Sequence, residues 1–402
     1  MNAVSNVPSS SLDPFSAEYR ADPYGSQAEL RSLGPVVRLE KYDVWACPRY
    51  DEVMEILRLP EQFRSGAGVG LSDLTREKHW RKPSILLEND PPHHTRVRNA
   101  LNKVLTARNI RRLRDAFEER AVTVVDGLAS KSSFDGVAEL ARPFPLDVFP
   151  DAVGLTADDR ENLLAYGRMV FDGMGPRNEI WEEVMEHAEE VTSWITAQCR
   201  REALTPGGLG DQVYATVDEG QLDEEEAALV IRSFLSAGVD TTIFALGTAL
   251  LCFANNPDQW DYVREDPSKR IRPAFEEVLR YESPFQMYFR TSTKRTELAG
   301  ATIEEGDKLL VMVASANRDP GHWDEPERFD ASRSAVGHVA FGHGIHTCVG
   351  QMIARLEAET LLGELARRVE RIELTGEPVW QPANTLRGLA ELPLTISPAR
   401  GA

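Results

Sequence analysis

The chain has 402 residues, 42% hydrophobic and 27% charged, a balance that suits a folded core and excludes a disordered, collagen-like or disulfide-scaffold protein. Its 64 acidic residues against 45 Lys plus Arg leave a net charge of -19, which argues against a binder of nucleic-acid backbone. Four cysteines, Cys47, Cys199, Cys252 and Cys348, lie far apart without a CxxC pair, so a reducing cytoplasm is expected rather than a disulfide framework. The N-terminal residues carry no basic and apolar signal pattern, and the longest apolar stretch, residues 243–254, is too short to span a bilayer. No membrane anchor is therefore expected. Without repeats or long linkers, a single domain over residues 1–402 is the simplest organisation.

In chain order, strand-like alternation at residues 36–47 is followed by amphipathic helical periodicity near 95–129 and 159–203, and then by a surface loop at TPGGLG, residues 205–210. A third helical segment, 224–255, opens on a capping-box pattern of Asp223 and Glu226 and runs without proline to Pro257. At about 30 residues it would be roughly 45 Å long. Its middle, Ser236-Ala237-Gly238-Val239-Asp240-Thr241-Thr242, mixes small, β-branched and acidic residues where good helix formers would be expected. Strand patterns return at 298–314, with a turn at Glu305-Gly306, and at 385–396, with a turn near Gly388; a last amphipathic helix covers 349–370. The expected class is mainly α with a small β-rich region.

The densest chemical signal is FGHGIHTCVG, residues 341–350, three glycines around Cys348 just before a helix. Helix N-terminal N–H groups stabilise a thiolate there, as a metal ligand requires. A buried structural cysteine is the plain alternative, and His343, His346 and Cys348 also have part of a zinc-site spacing, without an evident fourth ligand. Elsewhere, Glu277 and Arg280 form an i, i+3 pair, and residues 91–114 hold seven Lys or Arg and no acid.

The FxxGxHxCxG string resembles the cysteine-ligand loop of the cytochrome P450 superfamily of haem-thiolate monooxygenases, and further motifs follow in that family's order over nearly the whole chain. The resemblance implies the cytochrome P450 fold, with haem b held between the long central helix and the cysteine loop and Cys348 as the iron ligand. It gives cofactor contacts to Phe341, Gly342, Gly350 and Ala237, and propionate contacts to His94, Arg98, Arg290 and His346. It makes Asp240 and Thr241 the acid-alcohol pair that relays protons during O₂ cleavage. Glu277, Arg280 and Arg328 would form a buried triad behind the cysteine loop. Electrons would come from an acidic ferredoxin and its NAD(P)H-dependent reductase, docked at basic residues such as Lys103, Arg108, Arg111 and Arg112.

Ser233, Ala237 and Thr241 form one stripe on the central helix, with Arg232 beside its upper end. By helical rise, Ser233 and Thr241 are about 12 Å apart, comparable to the reach across a small aromatic acid. The strings GVGLSD, Trp80-Arg81-x-Pro83-Ser84, Arg232-Ser233 and Asn384-Thr385-Leu386-Arg387-Gly388-Leu389 are similar to the bacterial subfamily that oxidises para-substituted benzoates. That likeness implies a carboxylate end at Arg81, Ser84, Arg232 and Ser233 with Tyr166 nearby, and a ring packed by Leu87, Phe171, Met174, Phe285, Tyr288 and Ala237. Met174 and Tyr288 stand where that subfamily carries phenylalanines, Phe285 replaces a smaller aliphatic and Lys82 a proline. The expected reaction is O-demethylation of para-methoxybenzoate to para-hydroxybenzoate and formaldehyde. A monooxygenase for another small acid and a non-catalytic haem sensor are the alternatives.

Overall fold

The computed structural model describes residues 7–399 other than Lys78, Ala129, Ser130, Ser132 and Ala157. Six helices carry most of the residues singled out above: α1 (His93–Val104), α2 (Glu161–Asp172), α3 (Glu224–Ala237), α4 (Asp240–Asn255), α5 (Pro267–Tyr281) and α6 (Gln351–Arg368). The helical periodicity at 95–129 and 159–203 is real, but each segment is cut into three α-helices, the second ending in a short 3-10 turn at Arg201–Ala203. In the first, Leu105 ends α1 and the hydroxyl of Thr106 caps the next helix through the Asn109 N–H.

The expected continuous central helix is also two helices. Asp223 caps α3, with its side chain on the Glu226 N–H and the Glu226 carboxylate returning to the Asp223 N–H. The helical hydrogen bonds persist to the Gly238 N–H, which donates to Phe234 O at 2.9 Å, and α4 restarts after Val239. The interruption falls in the segment of poor helix formers, and Gly238 is held there by packing: a Cβ at this position would collide with the Phe149 ring. Residues 224–255 are long and apolar enough to cross a membrane, yet 67% of the apolar window is buried inside the protein, and α4 is covered on nearly every side. Burial in a core accounts for the hydrophobicity.

The β region is built from distant pieces. One six-stranded sheet runs Ser9–Ser10, Val37–Leu39, Val44–Cys47, Lys308–Val311, Tyr288–Ser292, Phe63–Arg64 from edge to edge. The hairpin predicted at 36–47 is there, Val37 opposite Ala46. The pattern at 298–314 divides: Thr296–Leu298 pairs with Ala301–Ile303 around Ala299-Gly300, and the Glu305-Gly306 turn then feeds Lys308–Val311 into the large sheet. The pattern at 385–396 divides too, with Leu389–Glu391 pairing to Val379–Trp380 and Pro393–Pro398 to Val369–Leu374. One large apolar cluster joins the helices, and two smaller ones lie against the large sheet.

The buried ion network behind the cysteine loop has a different third member from the one expected. Glu277 and Arg280 are fully buried and paired at 2.7 Å. The second arginine is Arg333, whose Nε donates to Glu277 Oε1 at 3.1 Å. Arg328 is 58% exposed and faces Glu325 and Asp330 instead. Only its carbonyl, accepting from Arg280 at 3.3 Å, joins the network. Asn317 and Pro326 carbonyls take the other guanidinium N–H groups, so the charge on Arg280 is matched and hydrogen-bonded, as burial demands.

Candidate active site

A cavity of about 260 Å³ lies between the α3–α4 break and the loop before α6. Of the four cysteines, Cys348 alone lines it among the described residues. The loop is set by short-range constraints: Cys348 N–H donates to Phe341 O at 2.8 Å, and Gly344 has a φ of +70° where the Leu57 carbonyl leaves no room for a side chain. Burial pushes the Cys348 thiol up, opposed by the Gly350 N–H and by the Arg98 and Arg355 guanidiniums. Phe341, Gly342, Gly350, Ala237, Thr241, Arg98, Arg290 and His346 all line the same cavity.

At one edge of this wall the buried charge is unbalanced. Arg290 is 3% exposed, and neither it nor Arg98 forms an ion pair among the described residues. His94 lies behind the lining with its ring 4.3 Å from that of His346, and neither of its ring nitrogens has a hydrogen-bond partner. Burial, and then the nearby guanidiniums, bring His94 down to about 4 and His346 to about 2, so both imidazoles are neutral. Two unmatched guanidiniums with an unsatisfied buried imidazole suit an anion, and the neighbouring Cys348 sulfur on the cavity wall can serve as one ligand to a metal. The propionates and iron of a haem fit this donor set. Ser65 Oγ, 3.1 Å from His346 Nε2, is an additional contact that no sequence motif marked.

The opposite end of the cavity is polar. Arg81, Ser84, Tyr166, Arg232 and Ser233 meet there, brought from the 79–88 loop, α2 and α3. Ser84 Oγ and Ser233 Oγ are 3.2 Å apart. Ser233 donates to Leu229 O and Ser84 accepts from Leu87 N–H, so Ser84 is the donor between the two hydroxyls, and a ligand anion would compete with Ser233 for its proton. Arg232 donates to the Lys82 and Pro83 carbonyls at 2.8 and 3.1 Å and has no carboxylate partner among the described residues. Tyr166 is fully buried with its hydroxyl unpartnered. Arg81 is different: its guanidinium is already paired with buried Glu88 at 2.8 Å.

Between the two ends the wall is apolar. Phe171 meets Phe285 edge-on at 5.3 Å, and Phe285 stacks on Tyr288 at 5.1 Å. Leu87 and Ala237 complete the expected set, whereas Met174 is buried outside the cavity lining. Phe149, Val170 and Leu209 line it as well. Val170 was legible as the residue one turn from Tyr166, while Phe149 and Leu209 belong to helices that carry no motif. Thr241 Oγ1 donates to Ala237 O at 2.8 Å. Asp240 points away from the cavity, against Gly167, with Oδ2 unpartnered, and burial followed by the nearby Asp172 pushes its carboxyl well above the usual range.

Residues 173–397 match the family described as Cytochrome P450. The chain is also 48% identical over 394 residues to Cytochrome p450 CYP199A2 of Rhodopseudomonas palustris, an alignment covering 98% of this chain and 95% of that protein. The chain belongs to the cytochrome P450 family. Members bind haem b through a cysteine thiolate and act as monooxygenases supplied with O₂ and electrons by redox partners, and this cytochrome P450 is such an enzyme. Its fold is likewise that of solved relatives. CYP109Q5 from Chondromyces apiculatus matches with a TM-score of 0.82 and 30% identity over 96% of this chain and 98% of that one. The cytochrome P450 CREJ, solved in complex with (4-ethylphenyl) dihydrogen phosphate, matches with a TM-score of 0.85 and 27% identity over 96% and 99%.

Proposed function

We propose that this cytochrome P450 oxidises a para-substituted benzoate, with O-demethylation of para-methoxybenzoate to para-hydroxybenzoate and formaldehyde as the favoured reaction. The observation that carries the reading is the polarity of the cavity: an unpaired Arg232 and an unpartnered Tyr166 hydroxyl at one end, aromatic walls between, and Thr241 and Cys348 beyond them. A pocket of this kind suits a flat ring with one anionic end. The aryl phosphate bound by CREJ has the same outline, a para-alkyl phenyl carrying an anion.

Haem, when bound, supplies the reductive activation of O₂ and the transfer of one oxygen atom to the substrate. The chain's own groups supply position and protons. In this reading Cys348 is the iron ligand, with Phe341, Gly342, Gly350 and Ala237 as its cofactor surroundings, and His94, Arg98, Arg290 and His346 take the propionates. Arg232, Tyr166, Ser84 and Ser233 bind the carboxylate, with Arg81 behind them. Phe171, Phe285, Tyr288 and Leu87 pack the ring and exclude water, so that the para group is directed to Thr241. Asp240 and Thr241 are the acid-alcohol pair of this reading: Thr241 stands on the cavity wall, and Asp240, whose carboxyl burial pushes up, delivers a proton there once its side chain turns from Gly167 toward the cavity. The basic residues Lys103, Arg108, Arg111 and Arg112 are exposed, and none is in an ion pair among the described residues. They supply a docking face for an acidic ferredoxin served by an NAD(P)H-dependent reductase, in a single-domain cytoplasmic enzyme.

Titration of the haem-loaded enzyme with para-methoxybenzoate, followed by spin-state change, tests the anchor. Wild type binds, and Arg232→Ala weakens binding by at least about tenfold, as expected for loss of a charge-assisted contact. Unchanged affinity in the variant overturns the assignment.

A further inference from the structure

The polar end of the cavity holds a second, hidden charge. Glu88 is 7% exposed, and its Oε2 accepts from Arg81 Nη1 at 2.8 Å and from the Ser84 N–H at 2.7 Å. Arg81 and Ser84 line the cavity; Glu88 stands behind them. Lys82 points outward to Glu225, where both side chains are more than 60% exposed. The charge at this end of the cavity is therefore two guanidiniums, buried Arg81 and half-buried Arg232, against one carboxylate, Glu88, leaving one positive charge for a ligand; Lys308 lies outside the lining. A single negative charge brings the site to neutrality. A second would stand uncompensated in a desolvated pocket, which is costly.

Resting on the carboxylate reading above, we propose that Glu88 is a specificity-determining residue, which cancels the charge of Arg81 and so restricts the pocket to monoanions, selecting aryl carboxylates against the dianions of aryl phosphates. Glu88 does not touch the substrate; it acts through Arg81.

The groups that face this pair do not titrate with it below pH 7. Buried Lys308 also acts on Glu88, with its ammonium on the carbonyls of Ala67, Gly68, Gly70 and Ser72; burial brings it down to about 8, so it keeps its charge below pH 7. Burial would raise the Glu88 carboxyl, but Arg81 and the Ser84 N–H outweigh it and hold it below its ordinary range, so it stays charged. His79 is kept below its usual value by burial and by Arg81, while burial raises Tyr166 and pushes Cys199 up to about 12, leaving both neutral. Burial lowers Arg232 from an ordinary value so high that it remains a cation. Between pH 5.5 and 7 the charge that changes is then the ligand's own: a phosphate monoester loses its second proton near pH 6, whereas a benzoate is a monoanion throughout.

Calorimetric titration of the haem-loaded enzyme with para-ethylbenzoate and with 4-ethylphenyl phosphate over pH 5.5 to 7 tests the proposal. Wild type should hold the benzoate with constant affinity and lose at least about fivefold in phosphate ester affinity as the dianion forms. Glu88→Gln, with a surplus charge, should abolish or reverse that fall, and Glu88→Gln/Arg81→Gln should restore it. A wild-type enzyme that binds the dianion as well as the monoanion overturns the proposal, even if Glu88→Gln fails to fold. So does a folded Glu88→Gln whose phosphate profile matches wild type. Failure of wild type to bind any aryl carboxylate is a different result, and it overturns the underlying carboxylate reading.

Discussion

Asp172, at the end of α2, shows how one residue links the site to the stability of the whole chain. Its Oδ1 accepts the Asn384 N–H at 2.7 Å, fastening the C-terminal loop to α2, and burial pushes its carboxyl up to about 6 from an ordinary 3.8. A raised carboxyl costs nothing while both states are protonated, below pH 3.8. The cost grows as the unfolded chain ionises and is complete above about pH 6, where two pKa units correspond to about 3 kcal/mol. Asp172→Asn keeps an oxygen for Asn384 and removes the charge. Its melting temperature relative to wild type should therefore rise between pH 5 and pH 8, and a gap that stays flat or narrows would contradict the assignment. At this scale the sequence was a good guide to which residues reach the cavity and a poor one to pairing. The cysteine loop, Thr241, Arg232 and Ser233 all reach the cavity, because helical spacing and a glycine-rich turn are local properties. That Arg81 is matched by Glu88, seven residues away across a loop, was not legible, since a loop carries no period from which to predict a contact.

Among the elements, the same limit appears in the network behind the cysteine loop. Glu277 and Arg280 were legible because α5 places i and i+3 on one face. Their partner comes from irregular chain between Trp323 and Val339, where sequence spacing does not say whether Arg328 or Arg333 turns inward. Arg333→Ala should cost about 3 kcal/mol by leaving Glu277 short of a buried partner, whereas Arg328→Ala should change stability by less than about 0.5 kcal/mol. Denaturant midpoints of the two variants check this, and equal losses would contradict the revised pairing. The break between α3 and α4 was half legible: the run of poor helix formers marked its place, but the interruption itself depends on Phe149, which packs against Gly238 from a different helix. Local propensity marks where a helix is weak, and tertiary contact decides whether it breaks there.

For the molecule as a whole, helix-rich class and the small β region followed from periodicity, whereas the large sheet did not. Its strands come from residues 9–10, 37–47, 63–64, 288–292 and 308–311, and two of them are only two residues long, too short to show alternation. That non-local assembly carries Arg290 on the strand Tyr288–Ser292 to the cavity edge, while α1 brings His94 and Arg98 to the same place from the other side of the chain. In the function proposed, this architecture presents a single positive charge at one end of an aromatic pocket. The most direct test compares para-methoxybenzoate with para-methoxybenzamide, nearly identical in shape but without charge, by dissociation constant and by formaldehyde released per NAD(P)H consumed with added redox partners. The acid should bind at least about a hundredfold more tightly, the equivalent of a charge-assisted pair of about 3 kcal/mol, and release formaldehyde, and equal binding of acid and amide would contradict the account.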